Sequence, residues 1–82
     1  GDSMINKGIV DGDKAIIECC NDAENGDIVV ALINNNEVTL KKLKKDKDKI
    51  YLIPANDNYK IQSFSSDKIK IQGKLKGIIR SY

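Results

Sequence analysis

The sequence of 82 residues contains no histidine and no tryptophan, and it has one proline and two cysteines. Without histidine, a Ser-His-Asp triad and histidine-ligated metal sites are excluded. The cysteines, Cys19 and Cys20, are adjacent, a spacing at which disulfides are rare, so we expect two free thiols in a reducing cytoplasm. No apolar run approaches the roughly 20 residues that cross a bilayer. The composition therefore predicts a cytoplasmic chain with no membrane span, no metal and no cofactor.

An excess of charge of one sign is also missing. Fourteen Lys and Arg residues stand against twelve Asp and Glu residues, which leaves a net charge of +2. A domain that binds nucleic acid usually has a much stronger basic excess. The length allows a single core, so we expect residues 1–82 to form one domain.

Short apolar runs rich in β-branched residues, separated by turn residues, are abundant in the sequence. They predict strands at residues 14–18, 27–33, 37–43, 49–53 and 68–80, with a hairpin over 27–43 and the run 27–33 as a central strand. Glycines at 73 and 77 predict bends or bulges in the last strand. The sequence also predicts a tight turn at 11–13, a helical turn at 4–7, a charged loop at 44–49 and an irregular segment at 55–66. The fold class is all-β, as a small coiled sheet or partly open barrel.

Ser3 raises the question of nucleophilic catalysis, since no histidine is present to accept its proton. A Ser-Lys pair is the remaining option, and a turn or helix N-cap is the ordinary role of such a serine. The lysine pKa would have to fall from about 10.4 to about 7, which costs about 4 kcal/mol and which burial can supply. Lys41 and Lys42 are the candidates in a strand. Alternation places Lys41 on one face with Thr39 and Lys42 on the other, and it does not choose between them.

Several stretches resemble, in order and spacing, the C-terminal domain of LexA repressors, UmuD proteins and lambda-type phage repressors. They are GDSM at 1–4, GIVDGD at 8–13, NGDIVVA at 25–31, EVTLKKL at 37–43, IPAN at 53–56 and GKLKGIIR at 73–80. The resemblance implies a self-cleaving serine endopeptidase with Ser3 as nucleophile and Lys41 as general base. The Thr39 hydroxyl is then placed to orient the amine.

The resemblance also implies partners and a biological role. It implies a homodimer, a RecA filament on single-stranded DNA that stimulates cleavage, and operator DNA bound by an N-terminal domain outside this chain. Such a protein represses transcription of the genes of the SOS DNA-damage response. The chain contains no Ala-Gly dipeptide, the bond that this family commonly cleaves. We therefore expect the cleavage site, the linker and the DNA-binding domain to lie upstream of residues 1–82.

Other interpretations remain open at this point. Within the family, a UmuD-like mutagenesis protein or a prophage repressor is a close alternative to a LexA-like repressor. Type I signal peptidases share Ser-Met and a lysine base, but they usually have a proline soon after that pair. A non-enzymatic β-barrel interaction module is the alternative from another class. The lysines of residues 41–49 form a solvated loop, or they contact DNA phosphates or an acidic partner. The strand at 68–80 is a dimer interface or is half solvated.

Overall fold

The computed structural model of the protein describes residues 14–79, which form one antiparallel sheet of six strands. The strands are β1 (Lys14–Cys19), β2 (Ile28–Ile33), β3 (Glu37–Asp46), β4 (Lys49–Ile53), β5 (Gln62–Ser65) and β6 (Ile69–Ile79), with a 3-10 turn at Ser66–Lys68. Their order across the sheet is β1-β6-β2-β3-β4-β5, so β1 and β5 are its edges and it is not closed into a barrel. The predicted all-β class is confirmed. Within this part of the chain, no helix is long and apolar enough to span a membrane.

The β2–β3 hairpin is the centre of the sheet, because β2 pairs with β3 on one side and with β6 on the other. The turn uses Asn34 and Asn35, whose φ angles are 52° and 57°. Positive φ at both central residues matches the right-handed twist of the strands, and asparagine tolerates it better than most residues. The predicted hairpin and the predicted central strand are both confirmed.

The predicted charged loop at 44–49 is wrong, because β3 continues to Asp46 and only Lys47 and Asp48 form the turn. Contacts from the β1–β2 loop hold this extension of the strand. The Lys45 ammonium lies 2.7 Å from an Asp22 carboxylate oxygen, and the Lys45 backbone N–H donates to the Asn25 side chain at 2.6 Å. The predicted irregular segment at 55–66 is also corrected, since its residues 62–65 form β5.

One face of the sheet carries the core. Its buried side chains are Ala23, Val29, Ala31, Ile33, Leu43, Ile50, Leu52 and Ile69. Ile50 of β4 and Ile69 of β6 line one cavity of about 430 Å³, although β2 and β3 lie between these strands. The sheet must therefore curve strongly around its apolar face. Burying each large aliphatic side chain on that face contributes about 1.5–3 kcal/mol.

Two bulges occur in β6, as the glycines predicted. The register with β2 skips Gln72, and the register with β1 skips Lys76. Each skipped residue is followed by a glycine, Gly73 or Gly77. At Gly73 the chain of β1 comes so close that a Cβ atom would lie 2.8 Å from the backbone oxygen of Glu18. Strand β1 can therefore pair this closely with β6 only because residue 73 is a glycine and has no side chain.

Candidate active site

Lys41 lies on the core face of β3. It pairs directly with Val29 of β2, which is fully buried, and Leu43, two residues along the strand, is also fully buried. Directly paired residues of an antiparallel sheet point to the same face. Lys41 is therefore a half-buried cation beside aliphatic side chains, whereas Lys42 lies on the outer face. The register with β2 shows that Lys41, and not Lys42, lies on the core face, which alternation within β3 alone could not decide.

The hydroxyl of Thr39 holds the amine of Lys41. Lys41 Nζ donates to Thr39 Oγ1 at 2.6 Å and to the backbone oxygen of Leu40 at 3.4 Å. Thr39 precedes Lys41 by two residues, so both side chains stand on the same face of the strand. The predicted contact between the two side chains is present, and it restricts the amine to a narrow range of positions.

Burial lowers the pKa of the Lys41 amine below its ordinary value, because removing water disfavours the charged form. The carboxylate of Glu37 acts in the opposite direction and raises the pKa of Lys41, since a nearby negative charge favours the ammonium. Burial is the larger of the two effects. The neutral amine, which is the form that can accept a proton, is therefore easier to reach at Lys41 than at an ordinary lysine.

A pocket of about 330 Å³ opens beside the Lys41 amine. Its walls are Glu37, Thr39, Lys41, Tyr59, Lys60 and Gln62. It forms because β4 ends at Ile53, which pairs with Lys42, so the first half of β3 has no β4 residue beside it. The chain that follows β4 lines the other side.

The contributions of Glu37 and Tyr59 to this pocket were not predicted from the sequence. Glu37 could have been found, because it stands two residues before Thr39 and thus on the same face of β3. Tyr59 lies in the segment that was predicted to be irregular, and it is 51% exposed. Ser3, the turn at 11–13 and the helical turn at 4–7 lie outside the described residues.

Comparison with known proteins identifies the family. The sequence model of the family described as Peptidase S24-like matches residues 1–76, a range that includes the positions of both Ser3 and Lys41. The chain belongs to the Peptidase S24-like family.

The proteins to which the chain is similar include LexA repressors. Those of Rhodospirillum rubrum, Erythrobacter litoralis and Granulibacter bethesdensis are 50%, 49% and 49% identical to the chain over all of its 82 residues. The aligned residues make up 33%, 35% and 34% of these proteins. The chain thus spans about a third of the length of the relatives it matches, in their C-terminal part.

Proposed function

We propose that this chain is the self-cleaving peptidase domain of a LexA-like repressor, with Ser3 as nucleophile and Lys41 as general base. The observation that carries the proposal is the state of Lys41. Its amine is half buried on the apolar face, its pKa is lowered by that burial, and it donates to Thr39 Oγ1 at 2.6 Å. Membership of a peptidase family and about 50% identity to LexA repressors support the same function.

The proposed reaction begins when the neutral amine of Lys41 takes the proton of the Ser3 hydroxyl. Ser3 Oγ attacks the carbonyl carbon of the scissile peptide in the linker, and Lys41 returns the proton to the leaving amine. Water then hydrolyses the resulting ester, with Lys41 accepting a proton from that water and returning it to Ser3 Oγ. Thr39 keeps the amine in position throughout, so little orientational freedom is lost at each transfer.

The wider role that we propose follows from the same family. The scissile bond and the operator-binding domain would lie in the part of the protein upstream of Gly1. Cleavage there would separate the DNA-binding domain from this one and relieve repression of the SOS genes. A RecA filament on single-stranded DNA would stimulate the reaction, and the domain would act in the cytoplasm as a homodimer.

The pH dependence of cleavage tests the proposed function. In the chain extended upstream to the length of its relatives, we expect the cleavage rate to rise with pH as Lys41 loses its proton. Because the pKa of Lys41 is lowered, the rise should begin and level off at lower pH than for an ordinary lysine with a pKa of about 10.4. The rate is followed by gel electrophoresis of the two fragments. A non-enzymatic interaction module would show no cleavage at any pH, and Ser3→Ala provides that baseline.

Removing the charge of Glu37 is expected to speed cleavage near neutral pH. Glu37 raises the pKa of Lys41, so Glu37→Gln should move the pH–rate profile to lower pH and increase the rate at pH 7. Glu24→Gln makes the same chemical change in the β1–β2 loop and should leave the profile in place. A Glu37→Gln profile that coincides with that of the unmodified protein would remove Glu37 from the site.

Loss of the Thr39 hydroxyl is expected to slow cleavage about fivefold, because one hydrogen bond of about 1 kcal/mol no longer positions the amine. Thr39→Val removes the hydroxyl with little change of shape, whereas Thr39→Ser keeps it and should retain most of the rate. Both are compared at a pH where the profile is level. Equal rates for the two variants would show that the hydroxyl does not position Lys41.

A further inference from the structure

The outer face of β3 and β4, opposite the face of Lys41, carries a row of lysines next to apolar side chains. Lys42 pairs directly with Ile53, and Lys44 pairs directly with Tyr51. These four side chains point to the same side of the sheet. Lys42 and Lys44 are therefore aligned on one face of the sheet and do not lie in a loop.

A groove of about 360 Å³ lies on this outer face. It is lined by Lys44, Tyr51, Ile53 and Ile61. Ile61 is 60% exposed, although it is a large aliphatic residue. Three of the four lining side chains are mainly apolar, so the groove can accept an aliphatic or aromatic side chain, and a cation stands at its border. We call Lys42, Lys44, Tyr51, Ile53 and Ile61 together the outer groove.

The cations of the outer groove have no carboxylate partner among residues 14–79. The ion pairs within that part of the chain join Lys45 to Asp22, and Lys74 and Lys76 to Glu18. Lys42 and Lys44 take part in none of them. Two lysines that form no ion pair within residues 14–79, beside an exposed apolar surface, are complementary to a ligand that has negative charges around an apolar group.

We propose that the outer groove docks an acidic segment of a partner protein. An aliphatic or aromatic side chain of that segment enters between Tyr51 and Ile61, and flanking carboxylates lie against Lys42 and Lys44. A nucleic acid fits less well, because the groove is mainly apolar and the net charge of the chain is only +2. This surface is on the opposite face of β3 from Lys41 and does not depend on the proposed peptidase activity.

Fluorescence anisotropy of a labelled nine-residue peptide, glutamate throughout except for a central phenylalanine, tests this proposal on the chain. We expect the peptide to bind and Lys44→Glu or Ile61→Ser to weaken binding at least about fivefold. Lys70→Glu and Val38→Ser are matched controls, since Lys70 is exposed on β6 and Val38 is 63% exposed on β3. They should change the affinity less than twofold.

Four results would overturn the proposal. The first is absence of peptide binding. The second is an equal loss with Lys70→Glu, which would reveal general electrostatic attraction. The third is tighter binding of a twelve-nucleotide oligothymidine that Lys44→Glu abolishes, which would make the outer groove a nucleic-acid surface. The fourth is a change of oligomeric state in Ile61→Ser by sedimentation, which would assign the outer groove to a second copy of the chain.

Discussion

Replacing Lys41 with alanine is expected to reduce self-cleavage by a factor of about 10³ or more, because the proposed reaction loses the general base that takes the proton of Ser3. The measurement is the first-order rate of fragment formation in the chain extended upstream to the length of its relatives. The fold should survive, since the variant only removes a partly buried amine from an apolar face. Circular dichroism and the midpoint of thermal unfolding check that point.

Lys42→Ala is the matched control for this experiment. It removes the same functional group from the next residue of the same strand, but on the face where Lys42 pairs with Ile28 and Ile53. Its cleavage rate should stay within about twofold of that of the unmodified protein. Normal cleavage in Lys41→Ala, or loss of cleavage in Lys42→Ala with an intact fold, would assign the base to another group.

Gly73→Ala is expected to be the most destabilising conservative change in the sheet, at about 2–3 kcal/mol of unfolding free energy. A Cβ atom there would lie 2.5 Å from Ile17 Cγ2 and 2.8 Å from the Glu18 backbone oxygen. The Ile17 side chain can rotate, but the Glu18 oxygen belongs to the β1 ladder, so β1 itself must move. Urea unfolding followed by circular dichroism measures the loss.

Gly77→Ala provides the comparison, because it makes the same change at the other bulge of β6. The nearest atom to its Cβ would be Ile16 Cδ1 at 3.9 Å, which is ordinary contact distance. We expect a change within about 0.5 kcal/mol. Equal unfolding free energies for the two variants would mean that β1 does not approach β6 at Gly73 as closely as described.

Local patterns were sufficient to predict most strands. The three asparagines before Glu37 are typical of a hairpin turn, and the glycines of the last strand predicted its bulges. The charges of residues 44–46 led to the wrong prediction of a loop. A strand can carry charged residues if those on its inner face are hydrogen-bonded or ion-paired. The partners of Lys45 are Asn25 and Asp22, which lie 20 and 23 residues earlier in the chain. No local pattern reveals a contact of that length.

The candidate site shows a similar limit. Alternation placed Lys41 with Thr39, and the family resemblance selected Lys41 over Lys42. The sequence did not show that this face is the core face, because that depends on the register that sets Lys41 opposite Val29. Nor did it show the pocket, which requires the segment with Tyr59 to lie beside β3 beyond the end of β4.

Burial on the sheet lowers the pKa of the Lys41 amine, and the ionisation of this amine can be measured directly. A pH titration by NMR of the chain with ¹³C-labelled lysine side chains reports the pKa of each amine, and the signal lost in Lys41→Arg identifies Lys41. The account predicts that this amine titrates clearly below the ordinary lysine value of about 10.4. A pKa at or above that value would contradict it.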